Sequence, residues 1–213
     1  MNINRNYLMK VMLLVSLLIL FGLLIYYYFF TKINVYFELN NSSEISLYYS
    51  ENGGDPNNIP SEKPYKVINK TGSYKIKKGY YIYTTKPINT DYSTLNGSFN
   101  TNDSQKLVIN PSLSEQKLSQ LYQTEQPNII NALNAKYPEQ MKIYSLQYGK
   151  ILLDGSWFSG YLVPQDGSDK LQVILHKDQN NWILSAVPNI TISKAQYPEI
   201  PQEVLDYVNI RPF

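Results

Sequence analysis

Hydrophobic and polar positions follow three successive rhythms along this chain. The first is an unbroken apolar run, Val11 to Phe30, reading VMLLVSLLILFGLLIYYYFF without a single charge. At about 1.5 Å of rise per residue, such a helix spans roughly 30 Å, the hydrocarbon thickness of a bilayer. A helix packed in a soluble domain keeps a polar stripe, and this run has none. A cleaved leader has a shorter apolar core followed by a small-residue cleavage site. This run is longer, and it closes on Tyr26, Tyr27, Tyr28, Phe29 and Phe30, aromatics suited to a membrane–water interface. Residues 11–30 therefore read as an uncleaved transmembrane signal anchor, with the lipid bilayer as the first partner. Arg5 and Lys10 precede the run and Lys32 follows it. The positive-inside rule then favours a cytoplasmic N-terminus, residues 1–10, on a single-pass protein of the cell membrane whose residues 33–213 are extracytoplasmic.

The second rhythm is alternation with a period of two. Ile33, Val35, Phe37 and Leu39 fall on one face of a strand. Glu44 to Tyr49 is a second strand, followed by a loop rich in Asn, Gly and Pro from Ser50 to Pro64. Ser73 to Lys77 alternates again, Lys78-Gly79 is a turn, and Tyr80 to Thr85, Thr94 to Phe99 and Gln105 to Ile109 complete the series. Strands separated by turn signals at this spacing predict a small β-sandwich over residues 33–110.

The third rhythm begins past Pro111. Ser112 and Glu115 form an S-x-x-E capping box for a helix with Leu118, Leu121 and Tyr122 on one face. Pro127 is expected to kink that helix or start a second one, whose apolar face continues through Ile129, Ile130 and Leu133 to a stop at Tyr137-Pro138. Alternation then returns in four strands: Met141 to Leu153, Ser156 to Val163, Leu171 to Lys177 and Trp182 to Val187. Asp154-Gly155 gives a two-residue hairpin signal between the first pair. This is a four-stranded antiparallel meander, with the preceding helices as cover for its apolar side. Gln202 to Val208 is a short terminal helix after Pro201. The fold class expected is α+β: a transmembrane helix, a small all-β sandwich, then helices packed on a four-stranded antiparallel sheet in residues 112–213.

Three resemblances follow from these patterns. The stretch Gly72-Ser73-Tyr74-Lys75-Ile76-Lys77-Lys78-Gly79-Tyr80-Tyr81-Ile82 resembles the hairpin of PEGA domains, with Lys78 where proline is common. That resemblance implies a non-catalytic module of envelope proteins, used for binding or spacing. Helix first and curved antiparallel sheet second is similar to the NTF2-like and cystatin-like α+β folds, which host enzymes, ligand cups and assembly modules alike. An anchor joined to an NTF2-like outer domain also resembles VirB8-type subunits of bacterial secretion and conjugation machines, from which the β-rich insert departs.

Composition narrows the chemistry. The net charge of +2, with no Lys/Arg cluster, points away from nucleic acid. The absence of cysteine excludes disulfides, thiolate metal sites and a cysteine nucleophile together, and it suits a bacterial envelope better than a small animal secreted domain. The N-x-S/T triplets at Asn69, Asn96 and Asn189 read as chance in a chain rich in Asn and Ser. His176 is the single histidine, beside Lys177 at a strand end, and reads as a solvated surface residue. Gly155-Ser156-Trp157-Phe158-Ser159-Gly160 lacks the G-x-S-x-G spacing and sits on a strand. Asp166-Gly167-Ser168-Asp169 holds two carboxylates but too few further oxygen ligands for calcium, and reads as a polar turn.

No catalytic residue, cofactor or metal is therefore expected. Of the twenty tyrosines, Tyr48, Tyr49, Tyr80, Tyr81 and Tyr83 lie on strands of the first module and are the candidate contact surface. The expected function is non-enzymatic: binding or assembly in the cell envelope, with a protein or envelope polymer as partner. A VirB8-like secretion subunit and an envelope hydrolase using scattered carboxylates are the alternatives.

Overall fold

The computed structural model describes residues 5–50, 53–102 and 105–210, and within these the side chains outside residues 5–8 and 28–30. The chain begins with helix α1 (Arg5–Phe30). Its segment Met9–Tyr27 has a mean hydropathy of 2.5 with no residue buried, so it is long and apolar enough to cross a membrane. Tyr26 and Tyr27 are exposed on its last turns. The side chains of Tyr28, Phe29 and Phe30 lie outside the described ones.

The chain divides into two compact units, one formed by residues 1–88 and 94–111, the other by residues 89–93 and 112–213. The connection is therefore crossed three times.

In the first unit, Thr31 alone separates α1 from the first of seven strands: β1 (Lys32–Leu39), β2 (Ser42–Ser50), β3 (Lys66–Ile68), β4 (Gly72–Lys77), β5 (Tyr80–Pro87), β6 (Asn96–Asn100) and β7 (Lys106–Ile109). They form a three-stranded sheet, β4-β1-β7, and a four-stranded sheet, β3-β2-β5-β6. All pairs are antiparallel except β1 with β7. Both sheets feed one hydrophobic core. Val35 and Phe37 of β1 and Ile76 of β4 contribute from one side, and Ile45 and Leu47 of β2, Tyr81 of β5 and Phe99 of β6 from the other. Alternation alone produces this, because residues two apart on a strand share a face.

The second unit contains α2 (Glu115–Lys136), α3 (Gln140–Ile143), β8 (Tyr144–Leu152), β9 (Trp157–Pro164), β10 (Leu171–Asp178), β11 (Asn181–Leu184) and α4 (Gln202–Asn209). The strands form an antiparallel meander in the order β11-β10-β9-β8.

Four details differ from the sequence-based expectation. Helix α2 starts at Ser114, not Ser112. The Ser114 hydroxyl accepts from the Lys117 N–H and donates to the Thr90 carbonyl, and its own N–H donates to the Asp91 carbonyl. The distant segment 89–93 thus sets the helix start. The helix then continues through Pro127, whose missing N–H falls on the exposed side. Buried Leu118 before it and Ile129 and Leu133 after it hold both halves on the same sheet face. Met141 to Ile143, expected in the first strand of the meander, are helical. The hairpin between β8 and β9 has four residues, with Leu153 at φ 59° and Gly155 at φ 90°, because Leu152 pairs with Trp157.

The larger difference is that the meander is buried on both faces. Phe158, Leu162, Val173 and Leu175 pack under α2. Leu152, Tyr161 and Ile174 point the other way, into a second core with Ile192, Ile200 and the α4 residues Val204, Leu205 and Val208. A polar knot fastens this second cover. The buried Gln172 amide donates to the Val208 carbonyl and to the Asn209 side chain, and its oxygen accepts the Ile192 N–H at 2.7 Å. The Tyr161 hydroxyl donates to the same Val208 carbonyl.

Candidate functional site

With both faces of the meander filled by side chains, a polar cleft lies at its β8 edge. Register fixes its floor: Gln147 pairs with Tyr161 and Lys150 with Ser159, so Tyr148 and Gly149 together oppose Gly160 alone. This β-bulge turns the strand locally, as bulges do beside functional sites. Tyr148 sits at φ 52°, a region that non-glycine residues rarely occupy. Gly149 is required by space, since a Cβ there would lie 2.6 Å from the Phe158 ring and 2.7 Å from the Tyr122 hydroxyl.

Around the bulge lies a cleft of about 250 Å³ lined by Glu115, Leu118, Ser119 and Tyr122 of α2, Gly149 and Lys150 of β8, and Tyr207 of α4. The Lys150 ammonium binds both Glu115 oxygens, at 2.9 and 2.7 Å, and lies 5.7 Å from the centre of the Tyr207 ring. Tyr122 stacks on Phe158, and burial raises the pKa of its hydroxyl, which favours its neutral, hydrogen-bonding form. The cleft thus presents hydroxyls, one ammonium and one carboxylate around aromatic rings, a set that binds polar groups by hydrogen bonds and stacking. No local motif announced it, because its residues come from three elements far apart in sequence. The one local signal was Tyr148-Gly149, a glycine interrupting a strand pattern.

The other chemistry considered from sequence is also located. His176 Nδ1 lies 2.8 Å from the Ser185 hydroxyl and its ring faces Trp157. Among the described residues, no carboxylate hydrogen-bonds that ring. Asp166 accepts the Ser168 N–H and hydroxyl, and these bonds lower its pKa. No group of three or more His, Cys, Asp or Glu side chains that could hold a metal ion occurs among the described residues.

The five candidate contact tyrosines on strands of the first unit separate by strand parity. Tyr81 is fully buried, stacked on Phe99 with its hydroxyl donating to the Lys77 carbonyl, and Tyr83 is also in the core. Neither belongs to a contact surface, because β5 turns its odd-numbered positions inward. Tyr49 packs its ring at the edge of the same core against Tyr81. Tyr48 is half-buried, and Tyr80, at 44 % exposure, is the most open of the five. Comparison with protein-family models, curated proteins and solved structures returns no match for this chain.

Proposed function

We propose that this chain is a single-pass membrane protein whose two outer units serve binding or assembly in the bacterial cell envelope, without catalysing a reaction. The observation that carries this reading is α1, whose Met9–Tyr27 segment has a mean hydropathy of 2.5 and buries nothing against the rest of the chain. Sixteen exposed large apolar and aromatic side chains in water are costly, at about 25 cal/mol for each Å² of apolar surface, and lipid removes that cost. The charges of Arg5 and Lys10 against Lys32 support a cytoplasmic N-terminus. We read the two sheets around one core as a PEGA-like sandwich, and the helix-then-meander order of the second unit as NTF2-like or cystatin-like. The cleft at the β8 bulge is the surface on the second unit best equipped to hold a polar partner, such as a peptide or a sugar polymer.

Orientation is tested by cysteine labelling, for which a cysteine-free chain is ready-made. With Ser168→Cys in an exposed loop, a membrane-impermeant maleimide should label intact cells. With Asn2→Cys it should label only after lysis. The reverse pattern would overturn the N-in arrangement, and labelling of neither variant in intact cells would place the units in the cytoplasm.

A further inference from the structure

The β11 edge of the meander is open, and one hydrogen bond fixes the direction of its backbone groups. The Ser185 N–H donates to the Ile174 carbonyl of β10 at 2.9 Å. Residues two apart on a strand point their backbone groups the same way, so Ile183 and Asn181 also face β10, opposite His176 and Asp178. The N–H and C=O groups of Trp182 and Leu184 therefore point away from the sheet. Among the described residues, none of these four groups has a hydrogen-bond partner. Sheet edges are normally blunted by a bulge, a proline or a charged side chain. The β8 edge carries its bulge, whereas β11 pairs in unbroken register and shows Ile183, 42 % exposed, at its rim.

A wall stands beside this edge. Ala132, Ala135 and Lys136, at i, i+3 and i+4 on one face of α2, line a slot of about 360 Å³ together with Trp182, Ile183 and Leu184. The two alanines keep the helix side shallow, and Trp182 and Leu184 join the slot to the apolar core under α2. Lys136 is exposed in the last turn of the helix. Among the described residues, no carboxylate pairs with it. Glu125, on the same helix face, is matched by Lys177 at 2.7 Å. The slot therefore combines unbonded strand backbone, an apolar wall and one positive charge.

We infer that this slot receives an extended acidic peptide of another protein, added to the meander as a fifth strand beside β11. Main-chain bonds to Trp182 and Leu184 supply affinity, alternate apolar side chains fill the space over Ala132 and Ala135, and a carboxylate meets Lys136. A second copy of this chain fits the slot less well. An antiparallel copy brings its own α2 onto the same face of the joined sheet. Paired strands lie about 4.8 Å apart, while packed helices need roughly 8–10 Å between axes. The site is separate from the β8 cleft and does not depend on α1 spanning a membrane.

The test uses the full chain in detergent micelles and the synthetic peptide EVTVTVE, with KVTVTVK as its charge-reversed control. Amide hydrogen exchange is read by NMR. At about 1 mM, EVTVTVE should slow exchange at Trp182 and Leu184 by on the order of ten-fold. Ile183, already bonded to β10, should not change. Ala135→Phe fills the slot from an exposed helix position and should abolish the slowing. Lys136→Glu should transfer the preference to KVTVTVK, and Lys63→Gln, on an exposed loop of the first unit, should change nothing. No slowing with EVTVTVE, or slowing that survives Ala135→Phe, would overturn the site. Slowing in the chain alone that grows with its own concentration would assign the edge to a second copy and overturn the peptide.

Discussion

Glu125 accepts three hydrogen bonds: from Lys177 Nζ at 2.7 Å, from the Trp182 indole N–H at 2.9 Å and from the Asn128 amide at 3.1 Å. The first two tie α2 to β10 and β11. The Lys177 bond and then the indole bond pull its pKa from 4.5 down to about 2. The unfolded chain therefore binds this proton more readily than the folded one. The stabilisation is complete above pH 4.5 and is lost as pH falls through about 2. Glu125→Gln should lower stability at neutral pH by about 1–3 kcal/mol, since it weakens two bonds that depend on the charge. It should also flatten the dependence of the urea midpoint on pH over that acidic window. An unchanged slope would mean the carboxylate is not what joins helix to sheet. In the sequence Glu125 is one acid on a polar stretch of helix, and nothing local names its partners. The tyrosines teach the same lesson: Tyr80-Tyr81-Ile82-Tyr83 is apolar on both faces, so only the pairing of β5 with β2 and β6 decides which ones enter the core.

At the scale of elements, most strands were legible because a two-residue period survives any packing. Their covers were less so. The face of the meander packed under α2 was readable from Leu171, Val173 and Leu175. The opposite face was not, because its cover is largely irregular chain between Ala186 and Ile200 and a helix of eight residues. Of the two outcomes expected at Pro127, no second helix starts there: α2 runs on through the proline, with buried residues on both sides of it. The β8 bulge was legible only as a glycine in a strand, and the cleft that it shapes depends on side chains from α2 and α4. Gly149→Ala puts a methyl group against Phe158 and Tyr122 and should cost about 1–3 kcal/mol by overpacking. In a unit of this size that lowers the melting temperature by roughly 4–8 °C for each kcal/mol, readable by calorimetry. An unchanged melting temperature would mean that the bulge has room to spare.

At the scale of the whole molecule, the N-terminal helix long and apolar enough to cross a membrane was readable from the sequence, while the threefold crossing between the units was not, since residues 89–93 carry no mark of belonging with residues 112–213. The central proposal is that α1 holds the chain in a lipid bilayer as an uncleaved tether. Alkaline carbonate extraction of membranes from cells making the full chain tests it most directly. An integral helix stays in the membrane pellet, at the mass of the uncleaved chain. Release into the carbonate supernatant, or a pelleted product lacking the residues of α1, would contradict it.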